Sequence, residues 1–311
     1  MQFSNAPRVA IVFSCDENYV PLAKGLVLSL RALGFPRPGF DVVLIDIGCN
    51  PLSLDWMRVH DVKVTQFEAD LVPSAVLDVI NPAQRALIMR PWLPEIIEDY
   101  SLYIWLDADT WLQSDEIINV IYGAQNILPG RMFMAPGVSH YSTSVYEDMT
   151  EILGMQTIWY NTSYRDDHLG AQFAKRLHYS SGVFGLARNS PFWELWKKEI
   201  VETFPLVAAR ARPLLHMAEL VAANYIVQRD GNLLARIDPR YNFHCNSGGA
   251  MRIGNGDVSA IMVIPVRRIC VVHLANWPFL KQYYMDGNLL YQSGNYLTND
   301  ERNSLMSLSR K

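Results

Sequence analysis

Asp107 and Asp109, two carboxylates separated by one alanine, are the residues of this 311-residue chain best placed for chemistry. They directly follow residues 103–106, an apolar run typical of a buried strand. Ligands of open α/β sheets bind at the carboxyl ends of the strands. Carboxylates at such an end supply the oxygen ligands that magnesium and manganese prefer. The pattern predicts a divalent-metal site, and two carboxylates on a solvated turn are the alternative interpretation.

His273 is a candidate third ligand of the same metal. It follows the apolar residues 269–272, so it also lies near the end of a predicted buried strand. A neutral imidazole can ligate a borderline ion such as manganese. A core histidine hydrogen-bonded to the backbone is the other interpretation, and the spacing alone leaves both open.

The elements that must position these residues alternate between strands and helices. Strand, helix and strand in short succession predict right-handed crossovers and a parallel sheet with helices on both sides. Strands are predicted at residues 9–13, 41–46, 62–67, 101–106, 131–135, 182–186, 233–237 and 269–274. Helices are predicted at residues 19–33, 91–97, 191–204 and 216–228 and from residue 115 onward. Residues 136–178 are mixed and polar and receive no assignment.

Composition narrows the class of protein. Half of the residues are hydrophobic and 19% are charged, which fits a packed enzyme and argues against disorder. The formal net charge of −4 argues against a nucleic-acid partner, because such proteins carry a basic surface. A phosphorylated substrate must then be neutralised locally, by a cation, an arginine or a helix N-terminus.

Cysteine usage and hydropathy bear on the compartment. The chain has four cysteines, Cys15, Cys49, Cys245 and Cys270, without C-x-x-C spacing. This favours free thiols in a reducing compartment over a zinc site or a disulfide scaffold. Residues 1–8 show no signal-peptide pattern, and no apolar run reaches the roughly 18 residues of a membrane span. We therefore expect a cytoplasmic protein without a transmembrane segment.

A series of short blocks keeps a fixed order between about residues 9 and 280. The blocks are residues 12–19, Arg90, residues 106–109, 180–183, 219–224 and 237–242, and His273. In combination they resemble glycosyltransferase family 8, which includes glycogenin and the bacterial lipopolysaccharide galactosyl- and glucosyltransferases. The resemblance implies the GT-A fold, a single Rossmann-like α/β domain with a mostly parallel mixed central sheet flanked by helices. We place this domain at residues 1–280, followed by a C-terminal helical or irregular extension at residues 281–311.

The resemblance also implies roles for individual residues. The resemblance implies that Ser14, Asp16, Asn18 and Asp107 bind the nucleotide, with Asp16 and Asn18 at the uracil and ribose. Asp107, Asp109 and His273 would hold manganese, or magnesium, against the two phosphates. The donor sugar would be contacted by Arg90, Ser180, Ser181 and Glu219. Asp109 and Glu219 are the implied catalytic residues.

Several positions depart from the family pattern. Residues 180–182 read Ser-Ser-Gly where the family commonly has Asn-Ala-Gly or Asn-Ser-Gly. Leu220 follows Glu219 where the family has a polar residue, often proposed as nucleophile or β-face stabiliser in some members. Asn276 and Phe279 replace a glycine and a phosphate-binding lysine. Phosphate neutralisation would then rest more heavily on the metal and on Arg90.

The sequence thus predicts a metal-dependent, retaining glycosyltransferase that moves a hexose-type sugar from a UDP-sugar to a glycan, lipid-linked or other hydroxyl acceptor. Retention needs either a covalent intermediate on a carboxylate such as Glu219 or attack on the face that the leaving group vacates, and we favour the same-face route. One alternative is a degenerate nucleotide-sugar-binding protein with little turnover. Another is a metal-dependent nucleotidyltransferase or phosphohydrolase, which predicts a glycine-rich phosphate loop or further clustered carboxylates.

Overall fold

A seven-stranded sheet forms the centre of the protein. The computed structural model describes residues 8–137, 147–164, 167–244, 251–254, 257–260 and 267–273. Its strands are β1 (Val9–Cys15), β2 (Phe40–Asp46), β3 (Val62–Gln66), β4 (Leu102–Leu106), β5 (Thr110–Leu112), β6 (Met132–Pro136), β7 (Tyr179–Ala187), β8 (Leu234–Arg236), β9 (Phe243–His244), β10 (Met251–Gly254), β11 (Asp257–Ala260), β12 (Arg267–Arg268) and β13 (Val271–His273). The central sheet has the order β3-β2-β1-β4-β7-β6-β8.

The central sheet is mixed and mostly parallel, as predicted. β1 pairs in parallel with β2 and β4, β2 with β3, and β6 with β8. β7 is antiparallel to both of its neighbours, β4 and β6. The carboxyl ends of β1 and β4 therefore lie at one edge, where the amino-terminal half of β7 also arrives.

Helices cover both faces of this sheet. They are α1 (Val20–Ala32), α2 (Pro51–Val59), α3 (Ser74–Leu77), α4 (Arg85–Ile88), α5 (Leu93–Ile96), α6 (Glu116–Ala124), α7 (Glu147–Tyr164), α8 (Asp167–Phe173), α9 (Phe192–Ala211) and α10 (Leu215–Arg229). Alternate residues of β1 divide the core into two layers, because successive side chains of a strand point to opposite faces. Ala10 and Val12 pack in the layer of α9 and α10. Ile11 and Phe13 pack in the layer of α1, α2 and α6.

A three-stranded sheet of order β5-β13-β9 stands beside the carboxyl end of β4. β13 pairs antiparallel with β5, so that His273 lies opposite Thr110, and parallel with β9. The strand predicted at residues 269–274 thus forms over Val271–His273, in this small sheet and not in the central one. β10, β11 and β12 form a separate antiparallel sheet.

Several helical regions differ from the sequence prediction, and α2, α3 and α4 have no predicted counterpart. Residues 136–178 contain α7 and α8, which received no assignment. The helical pattern of α7 is obscured because two of its apolar side chains face outward, with Met155 38% and Ile158 55% exposed. The helix predicted at residues 191–204 continues through Pro205 to Ala211, although an internal proline lacks the amide hydrogen that a helix uses.

None of the helices within the described ranges combines the length and the apolar character that a membrane span requires. The predicted extension at residues 281–311 and the boundary at residue 280 lie outside the described residues. The same holds for Cys245, Asn276 and Phe279.

Phe184 of β7 tests the packing of the central sheet against α9. Its side chain is fully buried, with its ring centroid 5.5 Å from Trp196, 6.2 Å from Trp105 and 6.4 Å from Trp193. Phe184→Ala removes these contacts and leaves a cavity, so we expect the free energy of unfolding to fall by about 3–5 kcal/mol. Urea unfolding followed by circular dichroism measures this. Leu52→Ala, at a side chain 80% exposed, should stay within about 0.5 kcal/mol of wild type. Equal losses in both variants would contradict the core assignment.

Candidate active site

Asp107 and Asp109 lie in the tight turn between β4 and β5. The Asp107 backbone N–H donates to the Gly182 carbonyl of β7 at 2.8 Å. The Asp107 carbonyl accepts from the Thr110 backbone N–H at 3.0 Å and from the Thr110 hydroxyl at 2.8 Å. The buried apolar strand β4 therefore fixes the start of the turn, and hydrogen bonds on both sides hold its backbone in place.

His273 completes a group of three potential metal ligands. Its Nε2 atom lies 3.2 Å from Asp109 Oδ1 and 3.7 Å from Asp107 Oδ2. One ligand atom from each of the three side chains lies within 4.8 Å of the others. The pairing of β13 with β5 produces this proximity, because it sets His273 directly opposite Thr110. Two carboxylates and an imidazole form a donor set that suits manganese or a similar divalent ion.

Asn242 orients the His273 ring and was missed as a site residue by sequence reasoning. Its fully buried amide oxygen accepts a hydrogen bond from His273 Nδ1 over 2.8 Å. We assign a proton to Nδ1 because the amide oxygen only accepts, and Nε2 is then the ring nitrogen that faces the carboxylates. Asn242 is the last residue of the block at residues 237–242, which contributes to the family resemblance. That block was the signal in the sequence that could have identified Asn242 as a site residue.

Gly182 lets β7 approach the metal-ligand group closely. A Cβ atom at this position would lie 2.3 Å from His273 Cε1 and 2.7 Å from Asp107 Oδ2. Both distances are far below van der Waals contact, so any side chain would displace a ligand. The close approach of His273 and Asp107 therefore explains why residue 182 is a glycine.

Arg90 is buried between the metal-ligand group and α10. It is 3% exposed, and its Nη2 atom donates to Asp107 Oδ1 at 2.5 Å. Its Nη1 atom donates to Glu219 Oε2 and to Ser181 Oγ, each at 2.9 Å. The Ser181 hydroxyl also donates to Glu219 Oε2 at 3.0 Å. Three of the four residues that the resemblance assigned to the donor sugar, Arg90, Ser181 and Glu219, thus form one hydrogen-bonded network that reaches Asp107.

The two oxygens of Asp107 have different surroundings. Oδ1 accepts from Arg90 and, at 2.7 Å, from Trp105 Nε1. Oδ2 faces His273. Arg90 therefore occupies only one oxygen of the aspartate, and the other remains available to a cation.

Burial and charge set the ionisation of the site. Burial raises the pKa of Glu219 to about 7, although Arg90 opposes the shift. Burial also raises the pKa of Asp107, and Arg90 and His273 counteract it. For Asp109 burial acts in the same direction, but His273, a backbone hydrogen bond and Arg90 together outweigh it and the pKa falls. Burial would lower the pKa of His273, and the charge of Asp109 raises it instead.

The charge balance of this cluster fits a divalent cation. Asp107 and Asp109 place two carboxyl groups beside each other, and the one permanent positive charge next to them, on Arg90, is shared between Asp107 and Glu219. Uncompensated buried charge is strongly destabilising. The residues present therefore fit a bound divalent metal.

Ser180 lies beside the histidines of the small sheet. Its hydroxyl is 3.0 Å from His244 Nε2 and accepts from the Gly182 backbone N–H at 3.3 Å. The ring of His244 in turn lies 4.4 Å from that of His273. His244 is a second residue near the site that sequence reasoning did not single out.

The predicted nucleotide-binding residues lie at the carboxyl end of β1. Ser14 is buried within the strand, and Asp16 caps the following turn by accepting from the Tyr19 backbone N–H at 3.2 Å. Asn18 Nδ2 donates to Asp16 Oδ2 at 3.3 Å. Partial burial and the negative charges of Asp109, Asp107 and Asp16 raise the pKa of Tyr19 to about 12.

No protein-family model matches the chain, and no curated protein matches it in sequence. Solved structures do match. The galactosyltransferase LgtC, in complex with donor and acceptor sugar analogs, is 12% identical over 95% of this chain and 99% of its own length, with a TM-score of 0.50. The bifunctional glycosyltransferase WbbM is 10% identical over all of this chain and 53% of its own, with a TM-score of 0.55. Mouse xyloside xylosyltransferase 1 is 14% identical over 87% of this chain and 98% of its own, with a TM-score of 0.51.

At these identities the likeness establishes the fold and leaves the reaction open. The matches confirm the predicted GT-A type of α/β fold, with its seven-stranded central sheet flanked by helices. The resemblance to family 8 and the roles of the individual site residues stay predictions.

Gly182→Ala tests the steric design of the metal-ligand group. The added methyl group must displace His273 or Asp107, so we expect the affinity for Mn²⁺ to fall by about 10-fold to 100-fold. Titration of Mn²⁺ followed by electron paramagnetic resonance measures the free ion directly. Gly123→Ala is the matched control, because a Cβ atom there has no neighbour within 4 Å and should leave Mn²⁺ binding unchanged. Wild-type affinity in Gly182→Ala would refute the proposed ligand geometry.

Proposed function

We propose that this protein is a metal-dependent, retaining glycosyltransferase that moves a hexose-type sugar from a UDP-sugar to a hydroxyl-bearing acceptor. The observation that carries the proposal is the group formed by Asp107, Asp109 and His273 at the carboxyl edge of the central sheet. Solved structures with this fold include a galactosyltransferase and a xylosyltransferase. A glycan or a lipid-linked sugar is the proposed class of acceptor, and the cytoplasm is the proposed location.

Asp107, Asp109 and His273 would hold the metal, for which we propose manganese or magnesium. When bound, the metal supplies Lewis-acid stabilisation of the charge that develops on the departing diphosphate. Asn242 keeps the histidine in the tautomer that presents Nε2 to the metal side. Arg90 and Trp105 fix the Asp107 carboxylate so that Oδ2 faces the same side.

The nucleotide would bind at the carboxyl end of β1. Ser14, Asp16 and Asn18 are the proposed contacts, with Asp16 and Asn18 at the uracil and ribose. The position is supported by topology, because β1 is adjacent to β4 and the two carboxyl ends lie at one edge of the sheet. Crevices at this edge are the usual ligand sites of open α/β sheets.

Arg90, Ser180, Ser181 and Glu219 are the proposed donor-sugar residues. In the present geometry both terminal nitrogens of Arg90 are already bonded to Asp107, Glu219 and Ser181. Arg90 therefore shapes the pocket and balances its charge, and the proposed metal carries most of the phosphate neutralisation.

The surroundings of Glu219 support the same-face route to retention. A carboxylate nucleophile must be ionised and must reach the sugar carbon. Glu219 is 1% exposed, its Oε2 atom is bonded to Arg90 and Ser181, and its pKa is raised to about 7 by burial. Such a group is better suited to gripping a sugar hydroxyl than to forming a bond to carbon, so the acceptor hydroxyl itself would attack.

Asp109→Asn tests the proposed reaction as a whole. The substitution keeps the shape of the side chain and removes a charge from the metal-ligand group. We expect Mn²⁺-dependent release of UDP from the preferred member of a UDP-sugar panel to fall by about 100-fold or more, because the leaving group loses several kcal/mol of charge stabilisation. Asp55→Asn, at an exposed residue of α2, is the matched control and should retain full turnover.

Each outcome of that assay decides something definite. Wild-type turnover in Asp109→Asn would remove Asp109 from the mechanism. Binding of UDP without turnover of any donor would identify the protein as a nucleotide-sugar-binding protein. Hydrolysis of nucleotides without sugar transfer would favour the phosphohydrolase alternative.

Glu219→Gln separates a role in transfer from a role in the fold. Glutamine keeps the volume but removes the charge that Arg90 and Ser181 contact. We expect kcat to fall by at least about 10-fold while the Kd for UDP with Mn²⁺, measured by calorimetry, changes by less than about 2-fold, because UDP lacks the donor sugar. Glu202→Gln on the exposed side of α9 serves as control. Parallel losses of kcat and UDP affinity would assign Glu219 to the framework of the protein.

A further inference from the structure

Cys15 and Cys49 form a pair of neighbouring thiols outside the metal-ligand group. Cys15 is the last residue of β1, and Cys49 lies in the loop between β2 and α2. Their sulfur atoms are 3.6 Å apart, and Cys49 Sγ also lies 3.3 Å from the Cys15 carbonyl oxygen. Cys15 is 2% exposed, whereas Cys49 is partly exposed. A disulfide requires about 2.05 Å between the sulfurs, so the pair is within about 1.6 Å of bonding distance.

The thiol pair joins two segments that are already connected through Glu17. The backbone N–H of Asn50 donates to Glu17 Oε2 at 2.8 Å, and its side-chain amide donates to Oε1 at 2.6 Å. The Glu17 backbone N–H donates to the Gly48 carbonyl at 3.2 Å. The residues on both sides of Cys49 therefore hold the turn that begins immediately after Cys15.

We infer that Cys15 and Cys49 are a reversible oxidation site, which closes to a disulfide with a small-molecule disulfide such as oxidised glutathione as the oxidant. The thiolate of Cys49 attacks the oxidant, forms a mixed disulfide and releases one molecule of the small thiol. The thiolate of Cys15 then attacks Cys49 Sγ and releases the second. Two thiols lose two protons and two electrons, and the oxidant is reduced to two thiols.

The surroundings of the two sulfurs set this order of attack. The hydrogen bond with Cys49, followed by burial, raises the pKa of the Cys15 thiol well above its usual value. Cys15 is therefore slow to react with an oxidant from solvent, whereas Cys49 is the more exposed residue of the pair and is assigned the first attack. Once Cys49 carries the mixed disulfide, the neighbouring Cys15 acts as the resolving thiol.

Closing the bond must move the loop of Cys49 more than the strand of Cys15. At the end of β1, Cys15 pairs with Asp46 of β2 and its carbonyl accepts from the Ile47 backbone N–H at 3.3 Å, which holds the backbone of Cys15. Movement of the loop shifts Asn50 and Gly48, and with them Glu17 and the adjoining residues Asp16 and Asn18. This consequence rests on the proposed function, which places the nucleotide at this turn. Oxidation should weaken nucleotide binding about 10-fold, equivalent to roughly 1.4 kcal/mol.

The disulfide itself is tested without any nucleotide. The reduced full-length chain is equilibrated with mixtures of reduced and oxidised glutathione, quenched with acid and examined by intact mass and peptide mapping. We expect a loss of two hydrogen atoms and one cross-linked peptide pair joining Cys15 to Cys49, both reversed by dithiothreitol. Cys270→Ala and Cys245→Ala should retain the cross-link, and Cys15→Ala and Cys49→Ala should lose it.

A stable glutathione adduct on Cys49 beside a free Cys15 thiol would overturn the inference. So would a cross-link to Cys245 or Cys270, or one that forms only in denaturant. Calorimetry with UDP and Mn²⁺ then compares reduced and oxidised protein, with oxidant-treated Cys49→Ala as control. Equal affinities of the reduced and oxidised protein for UDP would overturn the inference that the disulfide alters the turn at Asp16 and Asn18. A reduced protein that binds no UDP would refute the proposed function, while the mass measurement would still decide the disulfide.

Discussion

The ion pairs of Arg90 with Asp107 and Glu219 are the interaction on which the rest of the site depends. All three side chains are largely or almost completely buried. A buried charge without a partner costs several kcal/mol. The guanidinium can satisfy both carboxylates because its planar fork presents two terminal nitrogens in fixed directions. A lysine would offer a single point of charge and could not span from β4 to α10 in the same way. The network thus fixes the distance between the metal-ligand group and the residues proposed to contact the donor sugar.

This network leaves negative charge without a positive partner, and that charge explains why the metal-ligand group suits a cation. Arg90 contacts Asp107 Oδ1 and Glu219, whereas Asp107 Oδ2 and Asp109 face His273 and have no permanent positive charge beside them among the described residues. Without a cation the imidazole is driven toward its protonated form, as the raised pKa of His273 indicates. A divalent ion would take over that role and leave the histidine neutral. Binding of metal and release of the imidazole proton are therefore coupled by the same electrostatic balance.

The sequence could predict those parts of the site that depend on local pattern. The placement of Asp107 and Asp109 follows from an apolar strand ending at residue 106, and the structure has that strand at Leu102–Leu106. The partners of Arg90 could not be predicted in this way, because Glu219 is separated from it by 129 residues and nothing local links them. The same reason leaves His273 undecided in the sequence between ligand and core residue, because its approach to the aspartates depends on the pairing of β13 with β5. The helix α7 escaped prediction for a different reason: its outward-facing apolar residues blur the periodicity on which such predictions rely.

The position of β7 ties the fold to the proposed chemistry. It is the antiparallel member of the central sheet, so its amino-terminal half lies at the edge where β1 and β4 end. This reversal brings Ser180 and Ser181 to the pocket and sets Gly182 against the metal-ligand group, where only a hydrogen atom fits. A parallel strand in this position would present its carboxyl end and a following loop instead of a regular, hydrogen-bonded backbone. The rigid strand allows Asp107 to be held from two sides, by the Gly182 carbonyl on its backbone and by Arg90 on its carboxylate. Rigid support of this kind favours catalysis by positioning, in which the acceptor attacks a fixed donor and Glu219 keeps its hydrogen bonds throughout.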